Sequence, residues 1–389
     1  MSAFSDIITF TRASAAWRYN EFGIYEQVPA NQPRFDYDPV TLALRGLLVE
    51  EQRTNLLLNS VLAGGTAGTN SGEAVPPTGW QLGFAGSGGV VGYPAVYGLT
   101  GLRTAAASSS ERPFIARSVT LSANTNYVAS ARVSAVVGAV PVGAIIRWDN
   151  LPGGNSQSGL LVNGVSVPAT TNVAVGDVIA AVVSINATGG NGFARFGMGA
   201  NGNQLVPGDV TLVACNAEVG LFPTSYIPTT SAQVTRAADV ASVNTLSPWF
   251  NPVAGTIYAE WDASGGLATN SPVWVLQGSG TNIIRQRAEA ARPLFDVYTD
   301  GVAQASISVG APVVAGVTRK TAAAWMLNSF QAAADGSLGA PDVSGSIPSV
   351  TQLAFVKANV TAASFNGHLR RIRYWPRRLF DNELQRITA

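Results

Sequence analysis

Apolar residues in this chain recur every second position and almost never every three or four. In "VTLSANTNYVASARVSAV", Val119 and Leu121 alternate with polar neighbours, as do Tyr127, Ala129, Ala131 and Val133 beyond an Ala-Asn-Thr-Asn turn. Period-2 alternation marks strands with one buried face, and it rules out a helical bundle. In "GLLVNGVSV", Asn163-Gly164 stands between two apolar runs, a dipeptide that favours a two-residue hairpin. With 41 Gly and 21 Pro the β-prone runs are short and divided by turns. A second β pattern begins at "GTIYAEWDAS" and continues through "SPVWVLQGSG" and "QLAFVKAN". The last strand is expected through Leu369, Ile372 and Trp375 and stops at Pro376, which cannot donate to a ladder. Asp381 is then placed to cap a short helix burying Leu384 and Ile387. The expected fold is all-β: an N-terminal segment, two antiparallel β-sandwich domains and a short C-terminal helix. The divisions fall at 1–58, 59–224, a linker over 225–244, and 245–389.

Charge is scarce. Only 12% of the 389 residues are charged, against roughly 25% in an average domain, and the net charge is +1. No basic footprint for nucleic acid is present. Cations are nearly all arginine, Lys320 and Lys357 being the two lysines, and arginine suits bidentate carboxylate pairs and stacking on rings. The single Cys215 allows no intrachain disulfide and reads as a small buried hydrophobe. The first 20 residues lack a basic region followed by an apolar one, so no secretory signal is expected. The longest apolar stretch, "VSAVVGAVPVGAIIRW", falls short of the roughly 20 residues a membrane helix needs, so no membrane insertion is expected either.

Against this background "PRFDYDPVTLALRGLLVEEQRTNLLLNS" is dense in charge. Arg34, Asp36 and Asp38 alternate with Phe35 and Tyr37, and Glu50, Glu51 and Arg53 follow. Two carboxylates on one strand face beside an arginine suit a turn-fixing network better than acid–base catalysis. The segment lacks the spaced oxygen ligands and glycine turn of a calcium loop; no metal has a defensible ligand set, and no cofactor is expected. Arg34, Asp36, Tyr37, Asp38 and Arg53 are candidates for a docking or oligomer interface, with intrachain packing as the competing reading.

Other chemistry is thinner. Glu260 and Asp262 share a strand face at a separation that glycosidases can use, but any outward Glu-x-Asp meets that test. Asp296 and Asp300 suit a strand end at a hairpin. His368, the only histidine, reads as a surface or edge residue, since no nucleophile elbow occurs. Arg370, Arg371, Arg373, Arg377 and Arg378 suit a solvated or subunit-facing strand, or contact with an anionic glycan. Trp80, Trp261, Trp274 and Trp325 sit in apolar runs and read as core. Trp148, Asp149 and Asn150, before a Pro-Gly-Gly loop, are the candidate glycan-binding residues, with Trp148 reading equally well as a core residue. No catalytic residues are assigned, and the chain is expected not to be an enzyme.

Phe10 to Ser14 ("FTRAS"), Pro33 to Pro39 ("PRFDYDP"), Gly46 to Glu50 ("GLLVE") and Arg53 to Leu57 ("RTNLL") together resemble the opening of bacteriophage tail-fibre, tail-spike and head-fibre proteins. "PPTGW" at Pro76 to Trp80 and the linker "SYIPTTSAQVTRAADV" are similar to that family's middle sandwich and its exit. "GHLRRIRYWPRRLFDNELQRI" resembles the end of concanavalin A-like and laminin-G-like jelly rolls. The resemblance implies that 1–58 attaches to the virion, 59–224 is a carbohydrate-binding-module-like sandwich and 245–389 is a lectin-like jelly roll. Calcium is conceivable in lectin-like loops but has no defensible ligand set here. It further implies location on the virion, host-surface polysaccharide or lipopolysaccharide as partner, contacts with other virion proteins, and a homo-oligomer, by analogy a trimer. The rival readings are a structural decoration protein without glycan affinity and a polysaccharide depolymerase.

Overall fold

The computed structural model describes residues 7–69, 72–83, 89–201, 206–265, 271–279, 281–355 and 365–389. Its strand pairings are antiparallel throughout, and they assemble two sandwiches. The first packs a seven-stranded sheet, centred on Asn126–Val137 and Gly208–Val219, against a four-stranded sheet containing Ile146–Asp149, Gly190–Phe196 and Phe114–Leu121. Between them lie Trp80, Ile115, Tyr127, Trp148, Phe196 and their neighbours. The second packs two seven-stranded sheets around Trp261, Trp274, Trp325, Phe295 and Phe330. Trp80, Trp261, Trp274 and Trp325 are therefore core residues, as their apolar flanks predict. Cys215 is buried, which pushes its thiol up to about 12.

Alternation and turn chemistry account for the local structure. Asn163 and Gly164 both adopt positive φ, 52° and 80°, so Val162 pairs directly with Val165 across the tight hairpin that the sequence calls for. Asp300-Gly301 does the same between Thr299 and Val302. Asp296, expected beside it at a strand end, is instead fully buried mid-strand, paired with Arg285 at 2.7 Å and Arg287 at 2.8 Å. The strand Gly367–Trp375 ends before Pro376, and the helix Asp381–Thr388 buries Leu384 with Ile387 half-buried. Its cap position is Phe380, not Asp381; the Glu383 carboxylate accepts the Phe380 N–H at 2.8 Å. The strand expected over 352–359 is present at Gln352–Phe355, and the rest of it lies outside the described residues.

The opening segment does not stand apart. Thr9–Thr11 pairs with Val240–Val243 at the edge of one sheet of the second sandwich. Arg34–Tyr37 and Leu44–Val49 extend the other, Leu44–Val49 pairing with the start of the last strand, Gly367 to Leu369. Arg53–Asn55 pairs with Val234–Arg236, inside the stretch expected to be a linker. The chain therefore begins in the second sandwich, builds the first, and returns. Boundaries at 58 and 225–244 cut across these sheets because the pairs that join them are about 180 to 320 residues apart in sequence, leaving no local pattern to read.

Candidate functional site

Where the two sandwiches meet, the charged segment is buried. Arg34, with its side chain fully buried, donates to Asp239 Oδ2 at 2.5 Å, Glu50 Oε2 at 2.8 Å and the Trp17 carbonyl at 3.0 Å. Arg12 donates to Asp239 Oδ1 at 3.0 Å, the Ser14 carbonyl at 2.8 Å and the Pro29 carbonyl at 2.7 Å. Arg236 stands 3.5 Å from Glu50 and donates to the Glu51 carbonyl at 2.7 Å. Glu50 accepts from the Ser225 amide at 2.7 Å and its hydroxyl at 2.6 Å. Burial alone would raise the Glu50 carboxyl, but Arg236 and Arg34 hold it well below the usual carboxylate range. Asn55 ties the Ala217 amide, 3.0 Å, to the Ile227 carbonyl, 2.8 Å. Each of the four opening motifs thus contributes to one joint: Arg12, Arg34 and Glu50 meet Ser225, Arg236 and Asp239 of the expected linker, and Asn55 meets Ile227 of the same stretch.

Beside the joint lies the only histidine. His368 Nδ1 is 2.9 Å from Asp262 Oδ1 and Nε2 is 3.0 Å from Asp36 Oδ2, with His368 only 5% exposed. Burial would disfavour the imidazolium, yet Asp262 and then Asp36 raise His368 to about 9, so it is charged at neutral pH. Asp36 also accepts the Tyr19 amide at 2.7 Å. A surface histidine was the expectation; the cross-strand partner on the opening segment, Leu48, and the two distant aspartates explain the difference.

A cleft of about 520 Å³ opens over this floor, between the sandwiches. Its walls include the turn after Asp38, Arg45, Arg132, the Asn163-Gly164 hairpin tip and Arg370. The sandwiches touch closely there: a Cβ on Gly164 would lie 2.2 Å from the Ser264 carbonyl oxygen. Asp38 accepts from the amides of Val40, 3.0 Å, and Thr41, 2.8 Å, and from Arg45 at 2.7 Å. A second, apolar hollow of about 800 Å³ on the second sandwich is lined by Val243, Trp249, Ile257, Phe355 and Tyr374.

The residues singled out from the sequence fare unevenly. Arg34, Asp36 and Arg53 are buried within the chain, Arg53 against Glu51 at 2.5 Å and over the Phe222 ring at 4.8 Å, so they are not an outer docking face. Asp38 lines the cleft and Tyr37 is half-buried. A register shift between Asp36 and Tyr37 sends the two aspartates to different partners, and Arg34 to neither. The glycan candidate Trp148 is a correction as well: it is 1% exposed, with Nε1 donating to the Ala181 carbonyl at 3.0 Å, because the alternation of Ile146–Asp149 points it inward. Asp149 is ion-paired with Arg195 and Asn150 is an exposed turn residue at φ 48°. Glu260 is half-buried, 3.4 Å from the Tyr258 hydroxyl, whereas Asp262 belongs to His368. Arg370, Arg371, Arg373 and Arg377 are exposed, Arg370 reaching to 3.6 Å from Asp262 at the cleft rim. Arg45, Arg132 and Ser225 escaped notice in the sequence, where isolated polar residues in strand or loop carry no signal.

Among the described residues, no group of three or more His, Cys, Asp or Glu is placed to hold a metal ion, and no helix is long and apolar enough to cross a membrane. The chain matches no family model, and no curated protein matches it. Among solved structures it is similar to the carbohydrate-binding module CBM40 of a Ruminococcus gnavus sialidase bound to α2,3-sialyllactose, at 20% identity and a TM-score of 0.32, over 36% of this chain and 84% of that one. It is also similar to domains LG4-5 of the mouse laminin α1 chain, at 13% identity and 0.27, over 66% and 85%. A crystal structure of a putative carbohydrate binding protein from Bacteroides ovatus shows 11% identity and 0.27, over 70% and 78%. Likeness this weak says nothing of what the chain binds.

Proposed function

We propose that the protein is a non-enzymatic bacteriophage surface protein that binds host-cell glycan in the cleft between its sandwiches. The observation that carries this reading is the cleft itself: its volume lies in the range of ligand sites, and hydrogen-bonding side chains such as Arg45, Arg132 and Arg370 line it beside apolar ones such as Leu44 and Val165. Its floor is prefixed by the Arg34 joint and the His368 bridge, so a ligand meets a rigid surface and ordering costs are small. Binding is favoured over hydrolysis because both nitrogens of His368 are committed to carboxylates, and Asp36 and Asp262 are committed in turn to it. The virion location rests on the resemblance of the four opening motifs.

In this reading the partners include other virion proteins and further copies of the chain, a trimer by analogy. Support for an interface on the opening segment comes from exposed apolar side chains there, Phe22 at 72%, Val40 at 66% and Leu44 at 52%. The test is binding of the labelled full chain to an array of bacterial surface polysaccharides, with polymer length followed in parallel. Saturable binding without chain shortening, unchanged by Trp249→Ala in the apolar hollow, is expected. Absence of binding by folded protein would favour a decoration role, and release of reducing ends a depolymerase.

A further inference from the structure

The charged groups facing the cleft are not evenly satisfied. Its four carboxylates are taken: Asp36 by His368 and the Tyr19 amide, Asp38 by Arg45, Asp262 by His368 and Arg370, and Glu50 by Arg34, Arg236 and Ser225. Arg45 and Arg370 have these acids as partners. Arg132 differs. Among the described residues no carboxylate forms an ion pair with it, and its contacts are aromatic: its guanidinium carbon lies 4.5 Å from the Tyr25 ring centroid and 5.1 Å from that of Tyr19. The Tyr25 hydroxyl is its polar neighbour, and Asp36 acts on it through charge while its own oxygens are engaged elsewhere. Packing on two rings commits only the donor that meets the Tyr25 hydroxyl, and the rest of the planar fork matches a carboxylate or phosphate. The unanswered charge in the cleft is therefore a cation, half-buried and held between two rings.

We propose that the cleft selects an anionic sugar unit, whose carboxylate or phosphate pairs with Arg132 while Arg370 contributes from the rim. The proposal deepens the glycan-binding reading and rests on it. A uronic acid and a phosphorylated sugar present the same chemistry to Arg132, so the probes must separate them. Calorimetric titration of the full chain with trigalacturonic acid, glucose 6-phosphate and maltotriose, at low and high salt, does so. At least one anionic probe is expected to bind about tenfold more tightly than maltotriose, with the advantage shrinking at high salt. Arg132→Gln is expected to abolish that preference, and Arg370→Gln, an exposed substitution that spares the fold, to reduce it about threefold. If Arg132→Gln does not fold, Arg132→Lys, which keeps charge but not the fork, is expected to lose most of the preference. Equal affinity for maltotriose and both anions, or an anion preference untouched by the Arg132 and Arg370 variants, would overturn the proposal and leave glycan binding standing. No binding to these probes or to any polysaccharide on the array would overturn both.

Discussion

Two groups of arginines look alike in the sequence and end in opposite places. Arg12, Arg34 and Arg236 are 0 to 1% exposed, while Arg371, Arg373 and Arg377 are open to solvent. Local context does not separate them, since each group contributes arginines to strands beside aromatic residues. What differs is the partner. The first group converges on Glu50 and Asp239, held in place by strand pairing of the opening segment with residues 234–243 in the middle of the chain. Arg377 meets Glu383 on the surface, and no ion pair is formed by Arg371 or Arg373 among the described residues. Burying a guanidinium is tolerable only where a carboxylate and carbonyls answer it, so distant acids, not arginine density, decide which cluster becomes interior.

That contrast can be broken at its strongest point. Asp239→Asn leaves Arg12 and Arg34 buried with a neutral partner, and unfolding in urea is expected to show a loss of about 3–5 kcal/mol. A loss below 1 kcal/mol would mean the joint is no more than a surface network. The next effect concerns pH. His368 has its folded value raised to about 9 from 6.5, so its contribution is complete below pH 6.5 and is lost as pH rises through 9. Stability should fall by roughly 3 kcal/mol over that window, and His368→Gln should flatten the slope. Asp262, lowered by His368 and Arg370 against the effect of burial, adds the opposite limb: its contribution is present above its ordinary value and lost as acid is added. At the other extreme, Arg373→Ala should change stability by less than about 0.5 kcal/mol, measurable as an unchanged melting temperature.

The fold class was legible because strand periodicity and turn chemistry are local: Asn163-Gly164, Pro376 and the closing helix lie where their residue types require. The density of charge around Arg34 was equally visible, but its meaning was not. Glu50 is 16 residues from Arg34, whereas Asp239 is 205 away and joins it through sheets that close only in three dimensions. Trp148 was ambiguous for a different reason. A tryptophan one residue before the end of a strand and close to a glycine loop has the composition of a glycan platform, and only the phase of a four-residue strand turns it inward. Arg132 was silent altogether, since the tyrosines that stack on it come from another part of the chain.

The opening motifs tie the two sandwiches together and so build the cleft, which should make the chain unfold as one cooperative body. Differential scanning calorimetry of the wild-type chain beside Arg34→Met tests it most directly. One transition is expected for the wild type, and for the variant two separated transitions, one for each sandwich. Two transitions in the wild type, or one unshifted transition in Arg34→Met, would contradict it.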